Sequence, residues 1–252
     1  MILLEARRLS KHFGGIQAVR DFSFQIRKEV ITALIGPNGA GKTTVFNLIT
    51  GHLLTSAGEV VFNRKRIDGL PPHLIVQSGI ARTFQLVRIF PKLTVLDNVV
   101  VGLRAPKGEN LWNALFKPRG MKDETAHNRE KAFHILEQVG LVDYKDQYAQ
   151  NLGFGQQKLV EIARALATEP ELLLLDEPTA GLSQDMTLLM RNLIRDLKEG
   201  GKTVLFIEHD MRVVMDISDW IYVLNYGEKI AEGKPEEIKR DPRVIQAYLG
   251  SE

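Results

Sequence analysis

The chain has 252 residues, of which 44% are hydrophobic, enough to fill the core of one large domain or two small ones. Its 33 basic and 31 acidic residues leave a net charge of +2, so composition gives no reason to expect nucleic acid or an anionic membrane surface as a partner. The absence of cysteine excludes disulfides and thiolate chemistry and suits a reducing compartment.

The N-terminal residues 1–8 lack the features of a secretory signal, because Glu5 interrupts a short apolar stretch and no small-residue cleavage site follows. No uncharged apolar run approaches the ~20 residues that a membrane-spanning helix needs. We therefore expect any membrane role to require a partner.

Short apolar runs alternate with helical patterns along most of the chain. This alternation predicts a mostly parallel sheet covered by helices, that is, an α/β fold. The predicted strands are residues 22–26, 30–35, 172–175, 204–207 and 221–224. The predicted helices are residues 43–51, 156–167, 184–199 and 211–217.

The middle of the chain has helical spacing and little strand character, with its longest helical segment at 123–140. We expect an α-helical subdomain at 93–156, inserted into an α/β core made of residues 1–92 and 157–252. An insertion within it, residues 104–122, is rich in Gly, Pro and Lys yet carries four large apolar residues. These side chains, Leu111, Trp112, Leu115 and Phe116, either pack internally or form a patch that docks a partner.

The strand at 30–35 leads into Gly36-x-x-x-x-Gly41-Lys42-Thr43 and then into a helical segment, which is the context that a phosphate-binding loop needs. Glycines let backbone N–H groups turn toward phosphate oxygens, the helix N-terminus adds partial positive charge, and Lys42 adds a full charge. A chance glycine-rich turn is disfavoured by four fixed residues in this setting. The whole predicted loop is Gly36, Pro37, Asn38, Gly39, Ala40, Gly41, Lys42, Thr43 and Thr44.

Two carboxylates end the apolar strand 172–175. The carboxyl ends of parallel strands face the ligand crevice, so Asp176 and Glu177 are expected to reach a nucleotide held by the phosphate loop. Asp176 would hold magnesium, directly or through water, as would the hydroxyl of Thr43. Glu177 would orient or deprotonate the attacking water.

Five further segments resemble the motifs of ABC ATPases, in the order expected of that family. They are Phe13, Gln85, the segment 152–156 (Leu-Gly-Phe-Gly-Gln), the loop 180–183 (Ala-Gly-Leu-Ser) and His209. Each is weak alone, since a lone Gln or His is usually surface polar and a lone Phe is usually core. Together they span nearly the whole chain, and the resemblance implies a P-loop NTPase (RecA-like) core with an antiparallel β edge and an inserted helical subdomain.

The resemblance also implies a role for each matched residue, with ATP and Mg²⁺ as cofactors. The implied catalytic residues are Lys42, Gln85, Glu177 and His209. The implied magnesium ligands are Thr43, Gln85 and Asp176. Nucleotide contacts beyond the loop 36–44 are implied for Phe13, which would stack on adenine, for Gln85, and, across a subunit interface, for Gly153, Gly155 and Gln156.

The insertion 111–121, the run 207–211 and the tail 241–250 look like the branch of this family that imports branched-chain amino acids. That branch implies a second ATPase subunit of related but different sequence, transmembrane permease subunits and, indirectly, an extracytoplasmic substrate-binding protein, with no nucleic acid. It places the chain peripherally at the cytoplasmic face of the inner membrane.

Two residues depart from the family pattern. Gly153 stands where the signature commonly has serine, so a hydroxyl for the partner site's γ-phosphate is missing, whereas the Gly155 N–H and the following helix start remain as anion donors. Ser183 replaces the more usual Asp or Asn of the loop that joins the two subunits' sites. We expect a weakened composite site that still functions.

Several other classes of protein share part of this motif pattern. An ABC ATPase for another substrate shares the same motifs. A soluble ABC ATPase of DNA repair or translation would carry paired cassettes or long coiled coils, and the chain has neither. A nucleotide-binding scaffold without turnover is disfavoured by the presence of Glu177 and His209, and a kinase or GTPase would leave the segment 152–156 unexplained.

Overall fold

The computed structural model describes residues 1–103 and 120–249. These form two compact units, Met1–Gln85 with Glu171–Glu252, and Leu86–Pro170. The second unit includes residues 86–92 and 157–170, which the sequence-based boundaries assigned to the α/β core. Those boundaries stay a prediction. The four apolar side chains of the insertion 104–122 lie outside the described residues.

The strands of the first unit form two sheets. In chain order they are β1 (Ile2–Phe13), β2 (Ile16–Arg27), β3 (Ile31–Ile35), β4 (Ala57–Phe62), β5 (Lys65–Arg66), β6 (Ile80–Arg82), β7 (Leu172–Asp176), β8 (Thr203–Ile207), β9 (Trp220–Asn225) and β10 (Glu228–Gly233). One sheet has the order β10-β9-β3-β8-β7-β6, and the other has the order β2-β1-β4-β5.

The six-stranded sheet is parallel except for its edge pair, β9 and β10. Strands β3, β7 and β8 are buried along their whole length, which is why they are continuous apolar runs without alternation. The second sheet is antiparallel throughout. The predicted fold class, a mostly parallel α/β core with an antiparallel β edge, is confirmed.

The helices of the first unit are α1 (Lys42–Ile49), α2 (Pro72–Ser78), α6 (Gln184–Glu199), α7 (Met211–Ile217), α8 (Pro235–Ile238) and α9 (Pro242–Leu249). Helix α6 buries Met190, Leu193, Ile194 and Leu197, the spacing of an amphipathic helix with one apolar face. It begins where the hydroxyl of Ser183 accepts the Met186 N–H at 3.4 Å. The pattern at 184–199 therefore predicted this helix correctly.

The core of the first unit lies between the two sheets and α1. Its largest fully buried side chains include Phe22, Phe46 and Phe62. Phe22 stacks on Phe24 with ring centroids 4.7 Å apart. Phe46 lies on α1, so this core anchors the helix that follows the loop between β3 and α1.

The second unit contains α3 (Val95–Gly102), α4 (Gly120–Gln138) and α5 (Phe154–Leu166). Thr94 caps α3 by accepting the Asp97 N–H at 3.0 Å. Asn98 is fully buried, and its amide exchanges hydrogen bonds with both the N–H and the C=O of Phe90, at 2.8 and 3.0 Å. Among the residues that the structure describes, no helix is long and apolar enough to cross a membrane.

Candidate nucleotide-binding and catalytic site

The loop between β3 and α1 requires glycine at two positions. Gly36 has φ of 151°, and a Cβ there would lie 2.0 Å from the carbonyl oxygen of Leu224. Gly41 has φ of 102°, and its Cβ would lie 2.4 Å from the carbonyl oxygen of Ala18. Both contacts are far closer than any side chain allows, so the tight turn into α1 depends on these glycines.

Lys42 is the first residue of α1, and its side chain is buried inside the loop. Its Nζ donates to the carbonyl oxygens of Gly36 at 2.7 Å and Pro37 at 2.8 Å. Burial lowers the pKa of the Lys42 ammonium, and the charges of Glu177 and Asp176 offset part of that effect. A cation is thus held at the loop, beside the two carboxylates that the sequence predicted.

Asp176 ends β7 and is 3% exposed. Burial raises its pKa, and hydrogen bonding from Arg82 opposes the rise. The Arg82 guanidinium donates to Oδ2 of Asp176 at 2.8 Å and to Oδ1 of Asn47 at 2.6 Å, and its carbon lies 5.0 Å from the Phe84 ring centre. Arg82 was not predicted from the sequence, because its role depends on the pairing of β6 with β7, whose partner residues are 92 positions apart in the chain.

Glu177 is the point at which three predicted catalytic residues meet. One carboxylate oxygen, Oε2, accepts from Nε2 of Gln85 at 3.2 Å, and the other, Oε1, lies 2.9 Å from Nε2 of His209. The backbone of Glu177 has φ of 51°, a conformation that costs a non-glycine residue free energy and is found at functional sites. Its N–H donates to the carbonyl of Ile207 at 3.0 Å, which ties the end of β7 to β8.

A second carboxylate, Glu208, is buried directly before His209 and was also missed by the sequence analysis. The hydroxyl of Thr179 donates to Oε1 of Glu208. The only signal in the sequence was an acidic residue following the apolar run 204–207, a position that is usually solvated.

Phe13, Thr43 and Thr44 are three further predicted nucleotide contacts. Phe13 ends β1 and is 45% exposed, and Nζ of Lys11 lies over its ring, 5.2 Å from the ring centre. Thr43 and Thr44 follow Lys42 on α1; Thr43 is exposed and Thr44 is half-buried. Stacking of Phe13 on adenine stays a prediction.

The predicted signature segment begins α5 in the second unit. Gly153 is the N-cap residue, and its N–H donates to Oε1 of Gln156 at 3.1 Å. Gln156 therefore satisfies an N–H at its own helix start. Gly155 lies in the first turn of α5, and the nucleotide contacts of all three residues stay predictions.

The C-terminal helix α9 lies beside the phosphate loop. A groove of about 620 Å³ is lined by Pro37 and Asn38 on the loop side and by Gln246 and Ala247 on the helix side. The neighbouring hydroxyl of Tyr248 is buried. Burial raises the pKa of this phenol to about 12, and the backbone amide of Gly36 offsets part of the rise.

Magnesium fits the donor set that this site provides. The hydroxyl of Thr43, the amide of Gln85 and the carboxylate of Asp176 offer the hard oxygen ligands that Mg²⁺ prefers. The described part of the chain holds no cluster of three or more His, Cys, Asp or Glu side chains suited to a metal ion. Such a site needs phosphate oxygens or water to complete its coordination, as is usual for magnesium at a nucleotide.

Known proteins resemble this chain over its full length. It is 43% identical to the branched-chain amino acid transport ATP-binding protein LivG of Salmonella typhimurium over 249 residues, which cover 98% of each chain. It is 42% identical to BraF of Pseudomonas aeruginosa with the same coverage, and 40% identical over 254 residues to a probable LivG of Archaeoglobus fulgidus, covering 100% of this chain and 97% of that one.

Solved structures of ATP-binding cassettes also match this chain over its full length. A nucleotide-free ATP-binding cassette from an ABC transporter superposes with a TM-score of 0.86 at 38% identity, covering 100% of both chains. The ADP conformation of another cassette superposes with a TM-score of 0.86 at 36% identity, again covering both chains completely.

The family comparison agrees with these relatives and with the geometry. Residues 19–180 match the ABC transporter family, and residues 228–252 match the branched-chain amino acid ATP-binding cassette transporter family. The predicted family resemblance is confirmed. A phosphate loop enclosing a buried lysine, beside a carboxylate that contacts a glutamine and a histidine, is what a nucleotide-hydrolysing cassette requires, and the chain belongs to the ABC transporter family.

Proposed function

We propose that the protein is the ATP-hydrolysing subunit of an importer for branched-chain amino acids. The observation that carries the proposal is the convergence of Gln85 and His209 on Glu177, beside the buried Lys42 and Asp176. Phosphoryl transfer asks little covalent chemistry of a protein, so catalysis depends on positioning and on charge. This site supplies both.

The phosphate loop would bind the triphosphate of ATP. Backbone N–H groups of residues 36–44 and the N-terminus of α1 provide the anion-binding surface. Lys42 now donates to two loop carbonyls, and its ammonium would exchange these partners for phosphate oxygens. Thr43, Gln85 and Asp176 would hold Mg²⁺, which neutralises charge on the phosphates when bound. Phe13 would stack on adenine.

Glu177 would orient the attacking water or accept its proton. Its two carboxylate oxygens are each fixed by a neighbour, Gln85 on one side and His209 on the other. The side chain of His209 is 41% exposed, so the γ-phosphate would be able to reach its imidazole. A general base at this position contributes on the order of 10²- to 10⁴-fold in rate.

Two ATPase subunits would close head to tail, so that the segment from Gly153 to Gln156 of one covers the nucleotide of the other. The absence of a hydroxyl at Gly153 and the serine at position 183 would weaken the composite site to which this chain contributes its signature. A partner of related but different sequence would then leave the second site at full strength.

The substrate assignment rests on the branch of the family, because the transported molecule does not touch this subunit. The match of residues 228–252 to a branched-chain amino acid cassette family supports it, as do the LivG and BraF relatives, which are branched-chain amino acid transport ATP-binding proteins. Permease subunits would hold the chain at the cytoplasmic face of the inner membrane, and an extracytoplasmic binding protein would deliver the amino acid. Import of another substrate by the same cassette is the alternative.

Reconstitution tests the proposal. We expect the chain to co-purify from native membranes with permease subunits, and leucine with its binding protein to stimulate ATP turnover by the complex in proteoliposomes. Lys42→Ala should abolish turnover, whereas Lys239→Ala, at an exposed lysine of the same unit, should not. Stimulation by a different class of solute in place of leucine would refute the substrate, and turnover by the Lys42→Ala complex would refute the site.

A further inference from the structure

Glu208 occupies an unusual position for a charged residue. It follows the last residue of β8 and is 3% exposed, although His209, the next residue, is exposed. A carboxylate removed from water must be compensated by hydrogen bonds. The partner that supplies one therefore constrains the chain just before His209.

That partner is the hydroxyl of Thr179, which donates to Oε1 of Glu208. Thr179 is 7% exposed and lies two residues after Glu177. A turn holds it there, because the Ala180 N–H donates to the Glu177 carbonyl at 3.3 Å and the Leu182 N–H donates to the Thr179 carbonyl at 3.2 Å. The Thr179 side chain thus joins a hydrogen-bonded turn to the end of β8.

Two other contacts flank this one. The Glu177 N–H donates to the Ile207 carbonyl at 3.0 Å, and Oε1 of Glu177 lies 2.9 Å from Nε2 of His209. The three contacts join residues 177–179 to three consecutive residues, 207, 208 and 209. Glu177 has a left-handed backbone, with φ of 51°, and such a conformation persists only where surrounding contacts hold it.

We propose that Glu208 and Thr179 are positioning residues that hold Glu177 and His209 face to face for ATP hydrolysis. This inference rests on the proposed roles of Glu177 and His209. Thr179 and Glu208 act on the two catalytic groups that are next to them in the chain, Glu177 and His209. Because a displacement of about 1 Å can cost on the order of 10²-fold in rate, the loss of this contact lowers the rate of the chemical step.

The contact affects turnover more than nucleotide affinity. The phosphates are held by residues 36–44, whose geometry depends on Gly36, Gly41 and Lys42. Loss of the Thr179 hydroxyl leaves these residues in place. The kinetic signature is therefore a lower kcat with an unchanged KM for ATP.

Thr179→Val in the assembled transporter tests the inference, because valine keeps the volume and removes the donor. We expect kcat to fall about tenfold, the value of one hydrogen bond to a charged group, with KM for ATP within about twofold of wild type. Thr179→Ser restores the donor and should recover at least about half of the wild-type kcat. Thr32→Val, at a threonine of β3 that is also buried, controls for the loss of a buried hydroxyl and should keep wild-type kinetics.

A second variant keeps the test decisive if Thr179→Val unfolds. Glu208→Gln retains an oxygen that accepts the Thr179 hydroxyl but lacks the charge, and we expect a smaller loss of kcat with KM unchanged. In the double variant, which combines Thr179→Val with Glu208→Gln, the two losses of kcat should not multiply, since both substitutions act on one contact. Wild-type kcat in Thr179→Val, a failure of serine to restore it, or multiplied losses in the double variant would each overturn the inference.

These variants distinguish a failure of this inference from a failure of the proposed function. If Lys42→Ala and Glu177→Gln lose turnover while Thr179→Val keeps it, the site assignment stands and this inference is wrong. If the Lys42 or Glu177 variants keep full turnover, the proposed function itself fails.

Discussion

Nε2 of His209 lies 2.9 Å from Oε1 of Glu177, although the two residues are 32 positions apart in the chain. The contact exists because β7 and β8 are parallel neighbours whose carboxyl ends coincide, with Asp176 opposite Ile207 in the register. A carboxylate and an imidazole at this distance can hydrogen-bond, or orient one water between the carboxylate and a phosphate.

Glu177→Gln should lower ATP turnover by on the order of 10²- to 10⁴-fold, because the amide cannot accept a proton from water. Nucleotide binding should persist, and the closed pair of subunits should accumulate. Phosphate release and equilibrium nucleotide binding measure the two effects. Glu236→Gln, at an exposed glutamate of α8, is the matched control; equal turnover by both variants would exclude a catalytic role for Glu177.

Arg82→Met should reduce the free energy of unfolding by about 3–5 kcal/mol, since it leaves the buried Asp176 carboxylate without its cationic partner. Adding Asp176→Asn should recover part of the stability and none of the turnover. Denaturant unfolding measures the change. Arg20→Met breaks an exposed pair with Glu228 and should cost at most about 1 kcal/mol; a comparable loss in both variants would contradict the argument from burial.

Gly153→Ser should increase turnover at the composite site. Gly153 has φ of −63°, and an added Cβ would have Oε1 of Gln156, 3.7 Å away, as its nearest neighbour, so serine fits without strain. A hydroxyl that bonds a γ-phosphate should raise kcat/KM by roughly tenfold in the assembled transporter. Gly153→Ala supplies the Cβ alone, and an equal gain with alanine would assign the effect to the helix instead of the hydroxyl.

The stability of the protein should depend on pH through Tyr248 in alkaline solution. Its pKa is raised from 10 to about 12 in the folded protein, so between these values the unfolded chain releases a proton that the folded chain keeps. The stabilisation is complete below pH 10 and is lost as the pH rises toward 12. Between pH 9 and pH 11 the wild type should lose about 1.4 kcal/mol relative to Tyr248→Phe.

Denaturant unfolding at a series of pH values measures this difference. Tyr226→Phe, at a tyrosine that is 84% exposed, keeps Tyr248 and should retain the wild-type slope. Parallel pH profiles of the wild type and Tyr248→Phe would mean that the Tyr248 phenol titrates alike in the folded and unfolded chain.

Elements with strong local signals could be predicted from the amino-acid pattern alone. The loop 36–44 was identifiable because its glycines are required by the backbone, as the approach of Leu224 and Ala18 to Gly36 and Gly41 demonstrates. The amphipathic helix 184–199 was predicted because burial of one face leaves apolar residues at helical spacing. The strands β3, β7 and β8 were predicted because burial of both faces leaves continuous apolar runs. The family, the α/β fold class and the acidic end of β7 followed from these local signals.

Which side chains contact one another became evident only from the folded chain. Arg82 contacts Asp176 across 94 positions of chain, and Thr179 contacts Glu208 across 29. No local pattern distinguishes Arg82 and Glu208 from other charged residues, and charged residues are mostly solvated. Their burial and their partners arise from the parallel pairing of β6, β7 and β8, whose register no local pattern encodes. Most of the site residues could be predicted individually from the sequence, but the order of the strands in the sheet brings them together.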